Sequence, residues 1–273
     1  AHRTQSKSGG IDMAPTQRAR TRARPTPWNL ALFDSWQLRR GRTDVHLHRR
    51  EQRLITLLAL QGSRPRGYVA GVLWPESTER RATGNLRAAV WQTHREAPGV
   101  LGSDRTTLRL AGPLRLDVDA FTRCAFHIIG CRPGGDTMDR GACLRSLPVL
   151  LHGDLLPGWY DDWVIYERAR LAQLRLRALH LLADLLVDLG EAPEALVAAS
   201  AAVSLEPLHE PAIRSLVRAE IADGDFSGAL REYEAYRGRV LAELGVPPSS
   251  RLEKMVRPLV RRQLAQPSPS IVA

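Results

Sequence analysis

Apolar residues along this chain follow two patterns, which change near residue 120. Before it, short alternating runs predict strands at residues 28–33, 36–38, 45–47, 108–110 and 114–118. Between the third and fourth runs, helical spacing and turn signals predict helices at residues 49–60, 68–74 and about 77–97. The last two runs flank Gly112-Pro113 and predict a β-hairpin. Strands, three helices and a hairpin are the element order of a winged helix-turn-helix domain.

After about residue 121 the pattern is almost entirely helical, and it repeats. A shift of 34 residues superposes Ala178 on Ala212, Leu182 on Leu216, Gly190 on Gly224, Glu191 on Asp225, Ala195 on Ala229 and Leu196 on Leu230. This is the period of tetratricopeptide repeats, whose helix pairs stack to bury a common face. Pro207 follows the first repeat where such repeats usually place proline, and Leu241 takes that place in the second.

The predicted fold is therefore multidomain: an α+β winged helix-turn-helix domain, then an all-α, tetratricopeptide-like helical repeat domain. The predicted boundaries are a disordered basic arm (1–27), the winged helix (28–120), the helical domain (121–264) and a tail (265–273). The arm is predicted because these first residues are nearly free of apolar side chains.

Charge separates the same parts of the chain. Residues 1–27 carry six basic residues and one acid, residues 28–120 carry 15 and nine, and residues 121–273 carry 18 and 19. The net charge of +10 thus lies wholly before residue 121. Clustered positive charge favours a polyanion partner, and nucleic acid is the simplest candidate.

The third predicted helix is the candidate DNA-contacting element. At about 100° per residue, one face gathers the residues predicted to be core: Ala82, Leu86, Ala89, Val90 and Thr93. The opposite face centres on Gly84 and Ala88, small residues that would let the helix enter a major groove. Around them lie the predicted DNA contacts Arg80, Arg81, Arg87, Trp91, Gln92 and Arg95.

Most helices with such a charged face simply expose it to solvent and bind no DNA. The strand-flanked three-helix context, its positive charge and the following hairpin favour the DNA hypothesis. As a wing lying against the DNA backbone or minor groove, that hairpin adds four predicted contacts: Arg105, Thr106, Thr107 and Arg109. Trp91 would pack either on sugar and phosphate or under the wing.

Several sequence blocks resemble a known family. The blocks are residues 73–75, 85–91, 118–121, 153–164 with Glu167-Arg168, 205–210 and 243–249. They resemble the Streptomyces antibiotic regulatory proteins and related regulators, which join an OmpR-type winged helix to a bacterial transcriptional activation domain. The resemblance spans roughly residues 28–260. The third helix departs from the family pattern, with Thr83, Gln92, Thr93 and His94 where basic residues and leucine are usual.

The resemblance implies a sequence-specific transcriptional activator. Such proteins bind double-stranded DNA at direct repeats upstream of promoters, recruit RNA polymerase holoenzyme and often serve antibiotic and other secondary-metabolite genes. Direct repeats would place copies side by side on DNA, since head-to-tail sites need no dyad.

The sequence gives only weak indications of metal binding, cofactor binding or catalysis. Cys124, His127 and Cys131, with Cys143 or His152, lack a Cys-x-x-Cys pair, so we expect buried cysteines and no metal. Neither a phosphate-cradling glycine loop nor a nucleophile–base set is visible, so we expect no cofactor and no enzyme. The adjacent Asp161 and Asp162 are expected to cap a helix.

The chain also lacks the signals of export. No apolar run approaches the roughly 18 residues of a membrane span, and no secretory signal is visible. The odd number of cysteines argues against a disulfide framework, so a cytoplasmic protein is expected. Two other classes stay open: an interaction scaffold whose winged helix is degenerate, and a ligand-sensing regulator with a pocket in its helical domain.

Overall fold

A computed structural model describes residues 26–131 and 138–265, the last four of them by backbone alone. The strands are β1 (Trp28–Ala31), β2 (Gln37–Arg40), β3 (Thr43–Asp44), β4 (Arg64–Pro65), β5 (Leu101–Ser103), β6 (Thr107–Leu110) and β7 (Leu114–Leu116). The helices are α1 (Arg49–Gln61), α2 (Arg66–Leu73), α3 (Glu79–Glu96), α4 (Asp117–Gly130), α5 (Arg140–Leu150), α6 (Asp162–Asp188), α7 (Ala192–Leu205), α8 (Glu210–Asp223), α9 (Phe226–Leu244) and α10 (Ser250–Ala265).

Parts of the predicted domain scheme fall outside these residues. The predicted arm lies outside them except for Thr26 and Pro27, and so does the predicted tail after Ala265. Helix α4 runs across the predicted boundary at residue 120, so the division into 28–120 and 121–264 stays a prediction.

The first sheet has the order β3-β2-β1-β7. Strand β1 pairs antiparallel with β2 and parallel with β7. Trp28 and Leu30 alternate toward the core, as the period of two requires. β7 passes directly into α4, whose first residue is Asp117. The carboxylate of Asp117 accepts hydrogen bonds from the amides of Leu32 (2.7 Å) and Phe33 (3.0 Å), just after β1.

The predicted hairpin around Gly112-Pro113 is wrong. Strand β6 pairs with β5 and β4 in a second sheet, whereas β7 crosses to β1 in the first. Gly112 has a φ of 78°, a left-handed conformation that turns the chain away. Alternation in a strand indicates which face is buried but not which neighbour it joins. The predicted strand at residues 45–47 is also wrong, since β3 ends at Asp44.

The three predicted helices are confirmed as α1, α2 and α3. Leu54, Leu57 and Leu58 are buried along α1, which ends at Gly62 with a φ of 76°. Helix α2 ends at Leu73, directly before Trp74-Pro75. The fold is therefore a winged helix-turn-helix followed by helices.

The predicted repeat is confirmed as two helix pairs, α6–α7 and α8–α9. The four alanines superposed by the repeat, Ala178, Ala195, Ala212 and Ala229, are all completely buried. The turn glycines Gly190 and Gly224 both adopt a positive φ, 81° and 89°. Helix α7 ends ahead of Pro207, whereas α9 runs through Leu241 to Leu244, because no proline stops it.

The segment between α5 and α6 ties the helical part to the first sheet. Leu155 forms an antiparallel bridge with Phe33, and the amide of Leu156 donates to the Leu32 carbonyl at 2.8 Å. Arg168 of α6 donates to three carbonyls of this segment: Leu155 (2.9 Å), Leu156 (2.8 Å) and Trp159 (3.1 Å). The block at residues 153–164, which carried the family resemblance, is thus the connector between the two parts.

Charged side chains reinforce this junction. Arg175 is 7% exposed, donates to the Gly153 carbonyl at 2.7 Å and lies 5.4 Å from the ring centroids of Phe33 and Phe121. Burial lowers the pKa of Arg175. Arg53 of α1 forms an ion pair with Asp161 at the start of α6.

The expectation that Asp161 and Asp162 lie at the start of a helix is confirmed, but Asp161 does not cap α6 through its side chain. Asp161 occupies the N-cap position, but its carboxylate makes no capping hydrogen bond. The carboxylate faces Arg53 of α1 instead. A strong ion-pair partner from another element has replaced the local amide partners.

Candidate nucleic-acid interface

Helices α2 and α3 form the helix-turn-helix, joined by residues 74–78. Thr78 occupies the N-cap position of α3, although its side chain makes no capping bond. Glu79 lies in the first turn and Arg95 in the last, where each charge complements the helix dipole.

The buried face of α3 is the predicted one: Ala82, Leu86, Ala89, Val90 and Thr93. Thr93 is completely buried, and its hydroxyl donates to the Ala89 carbonyl at 2.8 Å. This bond within the helix satisfies the hydroxyl, so a threonine can occupy a core position without an unpaired polar group.

The opposite face of α3 is open to solvent. Gly84 and Ala88 are both exposed, and a Cβ added at Gly84 would meet no atom within 4 Å. Five of the predicted contacts on this helix are exposed: Arg80, Arg81, Arg87, Trp91 and Arg95. This face of α3, basic at its edges and with small residues at its centre, is therefore exposed and can contact a partner.

Three side chains near the end of α3 interact with one another. Trp91 is 62% exposed and lies 5.0 Å from the Arg95 guanidinium, so it does not pack under the wing. Gln92 is half-buried and donates to Glu96, which also contacts Arg95. One N–H of the Gln92 amide is thus occupied by Glu96, whereas Arg80, Arg81 and Arg87 form no ion pair with an acid among the described residues.

The wing is the β5–β6 hairpin. Arg105, Thr106 and Arg109 are exposed on it. The carboxylate of Asp104 organises its tip: it accepts from the amides of Thr106 (2.8 Å) and Thr107 (2.7 Å) and from both hydroxyls. These hydrogen bonds lower the pKa of Asp104, with those from Thr107 contributing most. The threonine hydroxyls therefore hold the wing tip, while their predicted role toward DNA stays a prediction.

Arg66 supports the wing and was missed by the sequence interpretation. Its amide donates to the Thr106 carbonyl at 2.8 Å, and its Nε donates to the Asp104 carbonyl at 3.2 Å. The missing signal was β4, which pairs this segment with β6 but is only two residues long. Arg66 therefore fixes the wing relative to the helix-turn-helix.

The candidate metal ligands do not converge. Cys124 contacts the Ser146 carbonyl, Cys131 contacts the His127 carbonyl, and Cys143 is buried, which raises the pKa of its thiol. Within residues 26–131 and 138–265, no three His, Cys, Asp or Glu side chains form a group that could hold a metal ion. In the same part of the chain, no helix has the length and apolarity needed to cross a bilayer.

An exposed basic helix-turn-helix with a wing, followed by stacked helix pairs, defines a class of transcriptional regulator. Residues 116–259 match the family described as "Bacterial transcriptional activator domain". This match covers more than half of the chain, so the chain belongs to that family. The family is regulatory rather than enzymatic, and the resemblance to the Streptomyces antibiotic regulatory proteins is confirmed.

Two known proteins illustrate the relationship. The chain is 27% identical to the regulatory protein DnrI of Streptomyces peucetius over 237 residues, covering 81% of this chain and 87% of that protein. Its fold is similar to that of Mycobacterium tuberculosis EmbR, solved in complex with a low affinity phosphopeptide, with a TM-score of 0.63 at 18% identity. The match covers 89% of this chain and 66% of EmbR, and at this identity it concerns the fold alone.

Proposed function

We propose that this protein is a sequence-specific, DNA-binding transcriptional activator. In this proposal α3 enters the major groove of double-stranded DNA, and the β5–β6 wing lies on the adjacent backbone. The observation that carries it is the exposed α3 face, where arginines surround Gly84 and Ala88. Small residues at the centre allow close approach, and arginine is the usual bidentate partner of guanine.

The contacts divide by position on this face. Arg87 and Arg95 lie eight residues apart, about 12 Å along the helix axis, so both can reach one groove. Arg80 and Arg81 lie in the first turn of α3, and Arg105 and Arg109 lie on the wing, where contacts to phosphates are expected. Phosphate contacts supply affinity, whereas base contacts supply discrimination.

The finer role follows from the family. We propose that copies occupy direct repeats side by side near promoters, that the helical repeats recruit RNA polymerase holoenzyme, and that the genes served belong to secondary metabolism, including antibiotic synthesis. Family membership and the similarity to DnrI support this proposal. Because the bacterial chromosome lies in the cytoplasm, the proposed site of action is cytoplasmic.

The test is selection of bound duplexes from sheared genomic DNA at about 0.15 M salt, where surface charge is screened beyond about 8 Å. Wild type is compared with Arg87→Ala/Arg95→Ala and with Arg145→Ala/Arg231→Ala, which removes the same charge from exposed sites on α5 and α9. We expect wild type and the control to enrich one short repeated motif and the α3 variant to lose it.

Salt dependence separates this proposal from a degenerate scaffold. On the selected duplex, the α3 variant should bind with a log–log salt slope smaller by about two units, one for each lost contact. If wild type enriches no motif, or if the control variant loses enrichment equally, α3 is not the sequence-specific element. A scaffold that contacts its partner through the helical repeats would then be the better interpretation.

A further inference from the structure

A cavity of about 530 Å³ lies in the helical part of the protein, away from α3 and the wing. Phe126 and Ile129 of α4 form one wall, and the outer face of α6 forms the other. His180 of α6 and His209, at the N-cap of α8, also line it. The volume falls in the range of small-molecule sites, about 300–1,000 Å³.

The charge of the lining is one-sided. Arg170 and Arg177 lie seven residues apart on α6, two helical turns on one face. Arg170 is paired with Glu167 at 2.8 Å, but Arg177 has no ion-pair partner among the described residues. Of the described residues that line the cavity, none is acidic. The cavity therefore carries positive charge that nothing in its own wall neutralises.

Within the part of the chain that the structure describes, one histidine nitrogen in the lining lacks a hydrogen-bond partner as well. Their rings lie 5.4 Å apart, and the buried Nδ1 of His209 has no hydrogen-bond partner among the described residues. Burial, together with His209, Arg214 and Arg177, lowers the pKa of His180 to about 4. A buried ring nitrogen without a partner costs free energy.

Apolar side chains line the cavity beside the two arginines. Phe126 is 58% exposed, although it is among the largest apolar side chains of the helical part. Ile129 is half-buried on the same wall, and Leu174 is half-buried on the α6 wall opposite. An occupant thus meets an aromatic face on one side and cations on the other.

We propose that this cavity binds an anionic small molecule with a flat apolar body. Its carboxylate, sulfonate or phosphate group contacts Arg177 and reaches the His209 ring, and its body packs against Phe126. A helix from a protein partner fits less well, because a helix with side chains is about 10 Å across and its backbone would stay outside.

The test uses the full chain and two probes that share one ring system. The anionic probe is 2-naphthoate and the neutral one is 2-naphthamide, with binding followed by calorimetry and thermal unfolding. We expect saturable binding of 2-naphthoate and about tenfold weaker binding of 2-naphthamide, since a charge-assisted contact is lost. Arg177→Gln should weaken 2-naphthoate binding about tenfold.

Arg145→Gln makes the same charge change at an exposed site on α5 that does not line the cavity, and it should bind 2-naphthoate like wild type. Saturating 2-naphthoate should also raise the pKa of His180, observed by NMR of its imidazole protons and assigned with His180→Gln. An acidic amphipathic peptide of 12 residues serves as a third probe.

Four outcomes would overturn the proposal. They are no binding of 2-naphthoate, equal binding of both naphthyl probes, an unchanged affinity in Arg177→Gln, and binding of the acidic peptide alone. DNA binding plays no part in these measurements, so their result is independent of the function proposed for α3.

Discussion

Arg168 donates a hydrogen bond of 2.8 Å to the carbonyl of Leu156, a buried residue whose φ is 48°. A left-handed conformation is strained for leucine and costs about 1–3 kcal/mol. The same guanidinium also bonds the carbonyls of Leu155 and Trp159. Arg168 therefore stabilises a strained connector, and the connector is what bridges to the first sheet at Phe33.

We expect Arg168→Met to lower the free energy of unfolding by about 3 kcal/mol, because three charge-assisted hydrogen bonds are lost from a half-buried site. The matched control is Arg170→Met, two residues further along α6, where the exposed arginine only pairs with Glu167; it should cost under about 0.5 kcal/mol. Denaturant unfolding measures both.

Hydrogen exchange locates the effect of Arg168→Met. The amide of Asp34 bonds the Asp154 carbonyl, and that of Leu156 bonds the Leu32 carbonyl. Both amides should exchange faster in the variant than in wild type. Equal exchange in the two proteins would mean that the connector is held without Arg168.

Gly84 offers a substitution whose effects on stability and DNA binding should have opposite signs. Gly84→Leu should raise the free energy of unfolding by about 0.8 kcal/mol, the difference in helix propensity, since the added side chain meets only solvent. The same side chain should lower affinity for the selected duplex more than about tenfold, because it would occupy the space into which the groove edge must fit.

Gly238 of α9 is the control for this experiment. It is an exposed glycine inside a helix, with nothing within 4 Å of an added Cβ. Gly238→Leu should give a similar gain in stability with unchanged DNA affinity. Full DNA binding by Gly84→Leu would show that the centre of the α3 face stays away from DNA.

Asp104 allows charge and geometry to be separated at the wing tip. Asp104→Asn keeps an acceptor oxygen but removes a negative charge near the proposed phosphate contacts, so DNA affinity at low salt should rise severalfold. Asp104→Ala removes the same charge and every hydrogen bond from Thr106 and Thr107, so it should bind more weakly than Asp104→Asn. Titration of one duplex with each variant measures the two affinities. Equal affinities would mean that the hydrogen bonds that order the wing tip do not contribute to DNA binding.

His180 makes stability depend on pH. Burial, more than any other cause, lowers its pKa from the usual 6.5 to about 4 in the folded protein. Between these values the unfolded state binds a proton that the folded state does not, so stability falls as pH drops from 6.5 toward 4 and the loss is complete below 4. Above pH 6.5 the contribution is constant.

His180→Gln should abolish this component. The difference in unfolding free energy between wild type and variant should therefore narrow or reverse as pH falls from 6.5 to 4, with the carboxylates common to both proteins cancelling. His94→Gln, at an exposed site on α3, is the control and should track wild type. A difference that is flat across this range would mean that His180 is not the group responsible.

The core of α3 was predictable, because the period of 3.6 residues alone places Leu86 and Val90 on one side. The helix pairs were predictable because the superposed alanines mark where helices must approach closely. The wing tip could have been recognised, since an Asp followed two and three residues later by Thr106 and Thr107 is the pattern of a side chain accepting from a turn.

Long-range relationships could not be predicted in this way. Asp161 pairs with Arg53, 108 residues earlier, and no local pattern names such a partner. The choice of β1 rather than β6 as the neighbour of β7 depends on how the rest of the chain folds around both. The position and lining of the cavity beside α6 could not be predicted, because the lining residues come from α4, α6 and the N-cap of α8. Taken separately, the sequence patterns of these helices show only that they are amphipathic.

Strand β7 ends at Leu116 and α4 begins at Asp117, so no linker residue separates the first sheet from the first helix of the helical part. If copies occupy DNA side by side as proposed, this continuity should hold their helical parts at a rotation set by the pitch of DNA. Inserting about half a turn, five base pairs, between operator and promoter should abolish activation, and ten should restore it. In the proposed function, the helical phase of the promoter would thereby become part of the signal that the bound protein transmits.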